Sequence, residues 1–243
     1  MGEKLSKISA SLGIPEKSID WKLYMNANRS EEKIIDAMLD IDDCLRQEVI
    51  VMGGMCANSH ILGHRPMRKA SNDLDCILLN ERGVYSLYSL FRNSLFKTES
   101  FGDLFLDYNG IPVGFDLEYT HGWKIPEQFF KDVVRFNFDK GGLNSISPEF
   151  LITLKAKRSI SKEKFYGKDA VDTVNILIAP SYKQNLDKIN YNKIGYLMKQ
   201  YASNSTDELN KYIDFIEVKG RNPLKKKEIP IFDECLSNLR DSI

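Results

Sequence analysis

Cysteine, histidine and long apolar runs are scarce in this chain. Four cysteines (Cys44, Cys56, Cys76 and Cys235) are scattered through 243 residues with no C-x-x-C pair. That excludes a dense disulfide framework and points to a reducing cytosol. Of the three histidines, His60 and His64 lie four apart, with Cys56 four before His60. No fourth donor is placed to close a tetrahedral site, so no zinc centre is expected. His121 reads as a lone loop histidine. No stretch holds the 18 or so consecutive apolar residues of a membrane span, and the opening MGEKLSKISASLGIPEK lacks an apolar core. Lys+Arg and Asp+Glu both number 34, so no global positive field suggests wrapping around nucleic acid. Lys225-Lys226-Lys227 is a local basic run, read as a solvated turn or as one rim of an RNA site. G-x-G-x-x-G, Walker A, G-x-S-x-G and H-E-x-x-H patterns are all missing, which removes dinucleotide oxidoreductases, P-loop enzymes, serine hydrolases and zincins. The expectation is a soluble, cytoplasmic protein without membrane partners.

What is present is a sizeable apolar complement, 42% hydrophobic against 28% charged, enough for a large core. A short helix is expected around Leu5 to Leu12, broken by Gly13-Ile14-Pro15 and followed by an irregular aromatic segment through Trp21 and Tyr24. Ser30 then caps a helix with Glu31 and Glu32 in its first turn and Ile34, Met38, Ile41 and Leu45 at helical spacing. Val49-Ile50-Val51-Met52 reads as a buried strand, Gly53-Gly54 as its end, and Met55 to Leu62 as a helix. A basic loop, Arg65 to Ser71, leads to a strand from Asp73 to Leu79. A helix from about Gly83 to Phe96 precedes strands near Leu104 to Tyr108 and Ile111 to Tyr119, with Asn109-Gly110 as a hairpin turn. Ser147-Pro148-Glu149 supplies a cap, an N1 proline and a first-turn acid for a helix to about Arg158. Another helix runs from about Lys168 to Ile178, and the remainder, with Ile194, Leu197, Tyr201, Leu209, Tyr212 and Ile216, is helical and amphipathic. The fold class is therefore α+β, with a small mixed sheet flanked by helices followed by a helical C-terminal part. Two domains are expected, 1–145 and 146–243, the second closing a cleft on the first.

The chemistry concentrates between Gly53 and Leu79. Strand side chains alternate, so Asp73 and Asp75 share a face, where two carboxylates repel unless a cation lies between them. Oxygen donors without histidine or thiolate suit Mg²⁺ or Mn²⁺. The glycine pair follows a strand and opens a helix, so its N–H groups can approach phosphate closely. Arg68, Lys69 and Ser71 stand just before the carboxylates and can contact the same phosphates. Downstream, Asp116 and Glu118 share a face of the hairpin strand, and either can add a third carboxylate; Asp116 is favoured because its shorter arm holds a cation more rigidly. Lys155 interrupts the apolar register of Phe150, Leu151 and Leu154, either as a lysine snorkelling at the core's rim or as a cation for phosphate. Asp169 and Asp172 are three apart on one helical face; Asp172 reads as a cap or a partner of Lys168. Phe129, Phe130, Phe136 and Phe138 read as core.

Strand, Gly-Gly, helix, then Lys69-Ala70-Ser71-Asn72-Asp73-Leu74-Asp75 resembles the signature of the polymerase-β-like nucleotidyltransferases. Leu151-Ile152-Thr153-Leu154-Lys155, followed by Lys168-Asp169-Ala170-Val171-Asp172, is similar to the corresponding region of the AbiEii/MenA-type members, many of them toxins of toxin–antitoxin systems. The resemblance spans roughly residues 30 to 180. It departs at Lys69, where the family usually has Arg, which leaves the phosphate contact open between Arg68 and Lys69. What the resemblance implies is metal-dependent transfer of a nucleoside monophosphate from an NTP to a hydroxyl acceptor, with Mg²⁺ or Mn²⁺ as cofactor. Asp73, Asp75 and Asp116 would bind the cations; Gly53, Gly54, Ser71 and Arg68 or Lys69 would hold the triphosphate, Lys155 would assist, and Asp169 would act near the nucleophile or position a phosphate-binding base. The implied acceptor is RNA or tRNA, with a cognate antitoxin as a further partner. Two alternatives keep the fold: a small-molecule acceptor of antibiotic-like chemistry, and a non-catalytic nucleotide-binding domain.

Overall fold

The computed structural model describes residues 7–8, 11–17, 31–45, 49–61, 74–78, 81–98, 104–116, 132–138, 141–161, 165–182 and 188–243. At 16–17, 31–35, 55, 58–59, 61, 74–75, 98, 112, 116, 136–138 and 141 it describes the backbone alone. The chain divides into two compact units, one of residues 1–56 and 70–146, the other of 57–69 and 147–243.

The first unit is built on a sheet. Its strands are β1 (Glu16–Lys17), β2 (Val49–Met52), β3 (Leu74–Leu78), β4 (Leu95–Thr98), β5 (Leu104–Tyr108), β6 (Ile111–Asp116), β7 (Val133–Phe138) and β8 (Gly141–Ile146). Among the described residues they form one mixed sheet in the order β1-β4-β5-β6-β3-β2-β8-β7. The middle strands explain their own sequences. Val49, Ile50 and Val51 are all buried, as expected for a strand covered on both faces. In β5, by contrast, Leu104 and Leu106 are buried while Phe105 is half-exposed, the alternation of a strand with one covered face. Helix α1 (Glu31–Cys44) buries Ala37, Met38 and Ile41, and its contacts run to β8. Asn109 and Gly110 both take positive φ, 51° and 79°, so β5 and β6 meet through the tight turn their dipeptide prefers, and Gly110 N–H donates to Asp107 Oδ1 at 2.8 Å.

Two sequence expectations change here. The helix expected over Gly83–Phe96 is shorter: α3 covers Glu81–Phe91, and Leu95–Thr98 is β4. Leu95 and Phe96 are apolar enough to continue a helix, but they pair with Leu106 and Phe105 of β5 and lie buried there. Tertiary pairing overrides local propensity. The β7–β8 hairpin was not anticipated, although Val133-Val134-Arg135-Phe136-Asn137-Phe138 alternates with period two. The hairpin extends the mixed sheet past β2. Most of the helix expected at Leu5–Leu12, and the aromatic segment around Trp21, lie outside the described residues.

The second unit is helical. Helix α4 (Pro148–Ser161) starts as its cap predicts, with Phe150 N–H reaching Ser147 Oγ at 3.5 Å. Helix α5 (Gly167–Ile178) runs into a 3₁₀ turn at Ala179–Ser181, where Pro180 ends the α-helical ladder. Then come α6 (Tyr191–Leu197), a π turn at Met198–Ala202, α7 (Thr206–Arg221) and α8 (Ile229–Ser242). Asn190 caps α6 by accepting from Lys193 N–H, and Ser205 caps α7 by accepting from Glu208 N–H. Tyr212, Ile213 and Ile216 of α7 and Phe232, Leu236 and Leu239 of α8 form its core with Val174 and Leu177 of α5. Gly220 is where α7 passes closest to α5: a Cβ there would stand 2.2 Å from Val174 Cγ2. No helix among the described residues is long and apolar enough to cross a membrane.

Candidate functional site

The strand–helix junction after β2 is made by Gly53. The chain leaves a buried strand and enters helix α2 (Gly53–Ile61) within one residue, and Gly53 does so at φ +68°, a conformation that costs an L side chain strain. Gly54 follows, buried. Strands β2 and β3 are antiparallel, with Met52 opposite Asp75. Gly53, 22 residues away from Asp75 in the chain, is thus the next residue after Asp75's partner. On its other side β3 runs parallel to β6, with Asp75 opposite Gly114 and Ile77 opposite Asp116. Two register steps separate Asp75 from Asp116 on adjacent strands, so their Cα atoms are about 8 Å apart by ordinary strand spacing. The register places Gly53, Asp75 and Asp116 around the meeting of three strands. Arg68, Lys69, Ser71, Asp73 and Glu118 lie outside the described residues.

Lys155 and Asp169 belong to a different cluster, inside the helical unit. Helix α4 is buried from Glu149 through Ala156, and the Lys155 side chain is only 8% exposed. It is met by two carboxylates of α5, at 3.1 Å from Asp169 Oδ1 and 2.8 Å from Asp172 Oδ2. All three side chains are under 10% exposed. Asp169 is in the first turn of α5, where the helix dipole favours a negative charge. Its other oxygen, Oδ2, is 3.7 Å from Arg158 Nε. The Arg158 guanidinium lies over the Tyr166 ring, 4.5 Å from its centroid, which ties the cluster to the outer end of the helix pair. Asp172, expected to cap the helix or pair with Lys168, pairs with Lys155. Below the cluster, Thr173 Oγ1 donates to Asp169 O at 2.8 Å and sits 3.3 Å from the Tyr212 hydroxyl. Burial, above all, holds that phenol well above the ordinary tyrosine pKa. Lys155 is therefore neither snorkelling nor turned outward; its charge is answered within α4 and α5.

One buried acid was missed. Asp42 of α1 is 4% exposed, and burial pushes its carboxyl up to about 6; Arg135 opposes this in part and Asp43 adds to it. The spacing carried the signal, since Asp42 follows Met38 by four and therefore falls on the apolar face. Cys56 and Ser145 are buried together, the hydroxyl donating to Sγ at 2.8 Å. His60 is buried, and no group of three or more metal-binding side chains is found among the described residues.

No family model matches the chain. No curated protein matches it either. Among solved structures it is similar to the crystal structure of an antigenic nucleotidyltransferase-like protein from Paracoccidioides brasiliensis, at 15% identity and a TM-score of 0.47, over 77% of this chain and 92% of that one. A likeness so distant assigns no activity to this chain.

Proposed function

We propose that the protein is a metal-dependent nucleotidyltransferase of the polymerase-β-like kind, nearest in motif to the AbiEii/MenA-type members, and that it moves a nucleoside monophosphate from an NTP to a hydroxyl acceptor. The observation that supports this most is the register at β2–β3–β6. It gathers the Gly53 turn, Asp75 and Asp116 from three separate segments into neighbouring backbone positions. Asp73, two residues before Asp75, extends the acidic set in sequence.

The donor set fits Mg²⁺ or Mn²⁺, because it consists of carboxylate oxygens with no imidazole or thiolate among them. Divalent cations bound there would supply neutralisation of phosphate charge and lower the pKa of the attacking hydroxyl. Asp73, Asp75 and Asp116 would hold them. The N–H groups at Gly53 and Gly54, with Ser71 and Arg68 or Lys69, would grip the triphosphate oxygens and align the α-phosphorus for in-line attack. A bond forms between the acceptor oxygen and that phosphorus, the α–β anhydride bond breaks, pyrophosphate leaves, and the hydroxyl proton passes to solvent. For Lys155 to serve the triphosphate, as the resemblance implies, its ammonium would exchange one of its two carboxylate partners for phosphate oxygens. Asp169 near the nucleophile, an RNA or tRNA acceptor, and a cognate antitoxin complete the reading.

The test is transfer of label from the α-phosphate of each NTP, with Mg²⁺ or Mn²⁺, into cellular RNA and separately into a small-molecule pool. Label in RNA that disappears in the Asp73→Asn/Asp75→Asn protein is the expected result. Label confined to small molecules would replace the acceptor, and no label in any pool from folded protein would remove the enzyme reading.

A further inference from the structure

Helix α7 sorts its charges by face. Of its four acids, Glu208 takes the Ser203 hydroxyl, Asp214 and Glu217 pair with Arg240 of α8 at 2.8 and 2.7 Å, and Glu217 also takes Arg221 at 2.9 Å. Lys211, Phe215 and Lys219 fall on another line, each four residues from the next, so they stack along one side of the helix. Both lysines are exposed and Phe215 is half-buried between them. Asp207, one turn before Lys211, marks the acidic end of that line. Against Phe215 rests Phe165, with ring centroids 5.1 Å apart; it also stacks over the buried Tyr212 at 6.4 Å. One side of Phe165 is thereby fixed, while 38% of the residue remains open to solvent. Lys168 is exposed three residues further along. Next to Phe165 in sequence, Tyr166 carries the Arg158 guanidinium on its ring.

Two touching aromatic rings, Phe165 supported from beneath and Phe215 with a lysine one turn to either side, match the chemistry of a polyanion that carries flat bases. Bases stack on the ring, and phosphates meet the cations. We infer that Phe165 and Phe215, with Lys168, Lys211 and Lys219, form a binding ledge for single-stranded nucleic acid. An acidic protein surface would use the lysines and leave the open aromatic face idle, which is why a strand with bases is the better fit. Only in naming the bound strand an acceptor does this rest on the transferase reading; binding itself does not require it.

The experiment is fluorescence anisotropy of labelled oligouridine and of its deoxy counterpart across a salt series, with full-length protein. At about 0.7 per neutralised single-strand phosphate, the ledge predicts a slope of log K against log salt of about −2 to −3. Phe165→Ala is expected to weaken binding roughly tenfold at every salt, and Phe165→Trp to retain it. Lys211→Ala/Lys219→Ala is expected to flatten the slope by about 1.4. Absence of salt-dependent binding would overturn the ledge. So would binding indifferent to Phe165, or competition by polyglutamate equal to that of the oligonucleotide, which would indicate an acidic protein partner. Asp73→Asn/Asp75→Asn separates the two readings, since it is expected to leave this binding unchanged whether or not transfer occurs.

Discussion

The sheet unit and the helical unit both bring carboxylate residues together, the one by strand register and the other by helix packing. On the sheet, Asp75 and Asp116 occupy nearby positions on adjacent strands, and the sequence adds Asp73 two residues before Asp75. In the helices, Asp169 and Asp172 sit three apart and Lys155 is delivered between them from α4. The first arrangement is a backbone register, and under the proposed function it would hold divalent cations. The second is closed, its negative charge met within a few ångström by lysine and, at its edge, by Arg158. Buried pairs of that kind add little stability over an apolar core, but breaking one is costly. The lesson is that acids at similar sequence spacing take different roles according to what the neighbouring element brings.

Substitutions in each unit can break or sharpen this contrast. The largest effect is expected from Asp75→Asn. Losing several kcal/mol of transition-state charge stabilisation, roughly 4, corresponds to about a thousandfold loss of transfer. Removing one like charge costs the fold little, so the urea midpoint is expected to stay. Lys155→Ala should do the reverse: two buried carboxylates lose their ammonium, and about 3–5 kcal/mol of stability goes with it, read by urea denaturation. Transfer lost in Lys155→Arg at unchanged stability would instead support a triphosphate role for Lys155. Gly220→Ala, which must push Val174 aside, is expected to cost about 1–3 kcal/mol in the same assay. Gly53→Ala should cost about 1–2 kcal/mol through its positive φ, with a disproportionate rise in the KM for NTP because the phosphate-facing turn moves.

A further effect is a matter of pH. The Asp42 carboxyl, ordinarily at 3.8, is raised to about 6 in the folded chain, so the folded state binds the proton more tightly than the unfolded one. Stability from this group is full below about pH 4 and is lost as pH rises through about 6. Asp42→Asn should therefore match the wild type in thermal midpoint at low pH and exceed it at neutral pH. Equal midpoints at both would show that Asp42 titrates normally.

What was legible in the sequence was largely what is decided locally. The cap at Ser147, the proline stop after Ile178, the Asn109-Gly110 turn and the strand before Gly53 all depend on a few adjacent residues, and each lies where its residues indicate. Pairing between distant segments was not legible. Nothing local tells Leu95-Phe96 to join Leu106 and Phe105, or Glu16-Lys17 to join Lys97-Thr98. The same limit governs the sites. Asp73-Leu74-Asp75 announces a carboxylate pair through its period, whereas the approach of Asp116 depends on strand register, and the capture of Lys155 by Asp172 on how α4 meets α5. Asp42 was readable from its spacing, four residues after Met38 on the apolar face of its helix.

The most direct test sets two proteins side by side, Asp75→Asn and Lys155→Ala, and measures label transfer from NTP and urea unfolding on each. The account predicts that Asp75→Asn unfolds like the wild type and transfers nothing measurable, while Lys155→Ala unfolds at markedly lower urea. Wild-type transfer by a folded Asp75→Asn protein would contradict it.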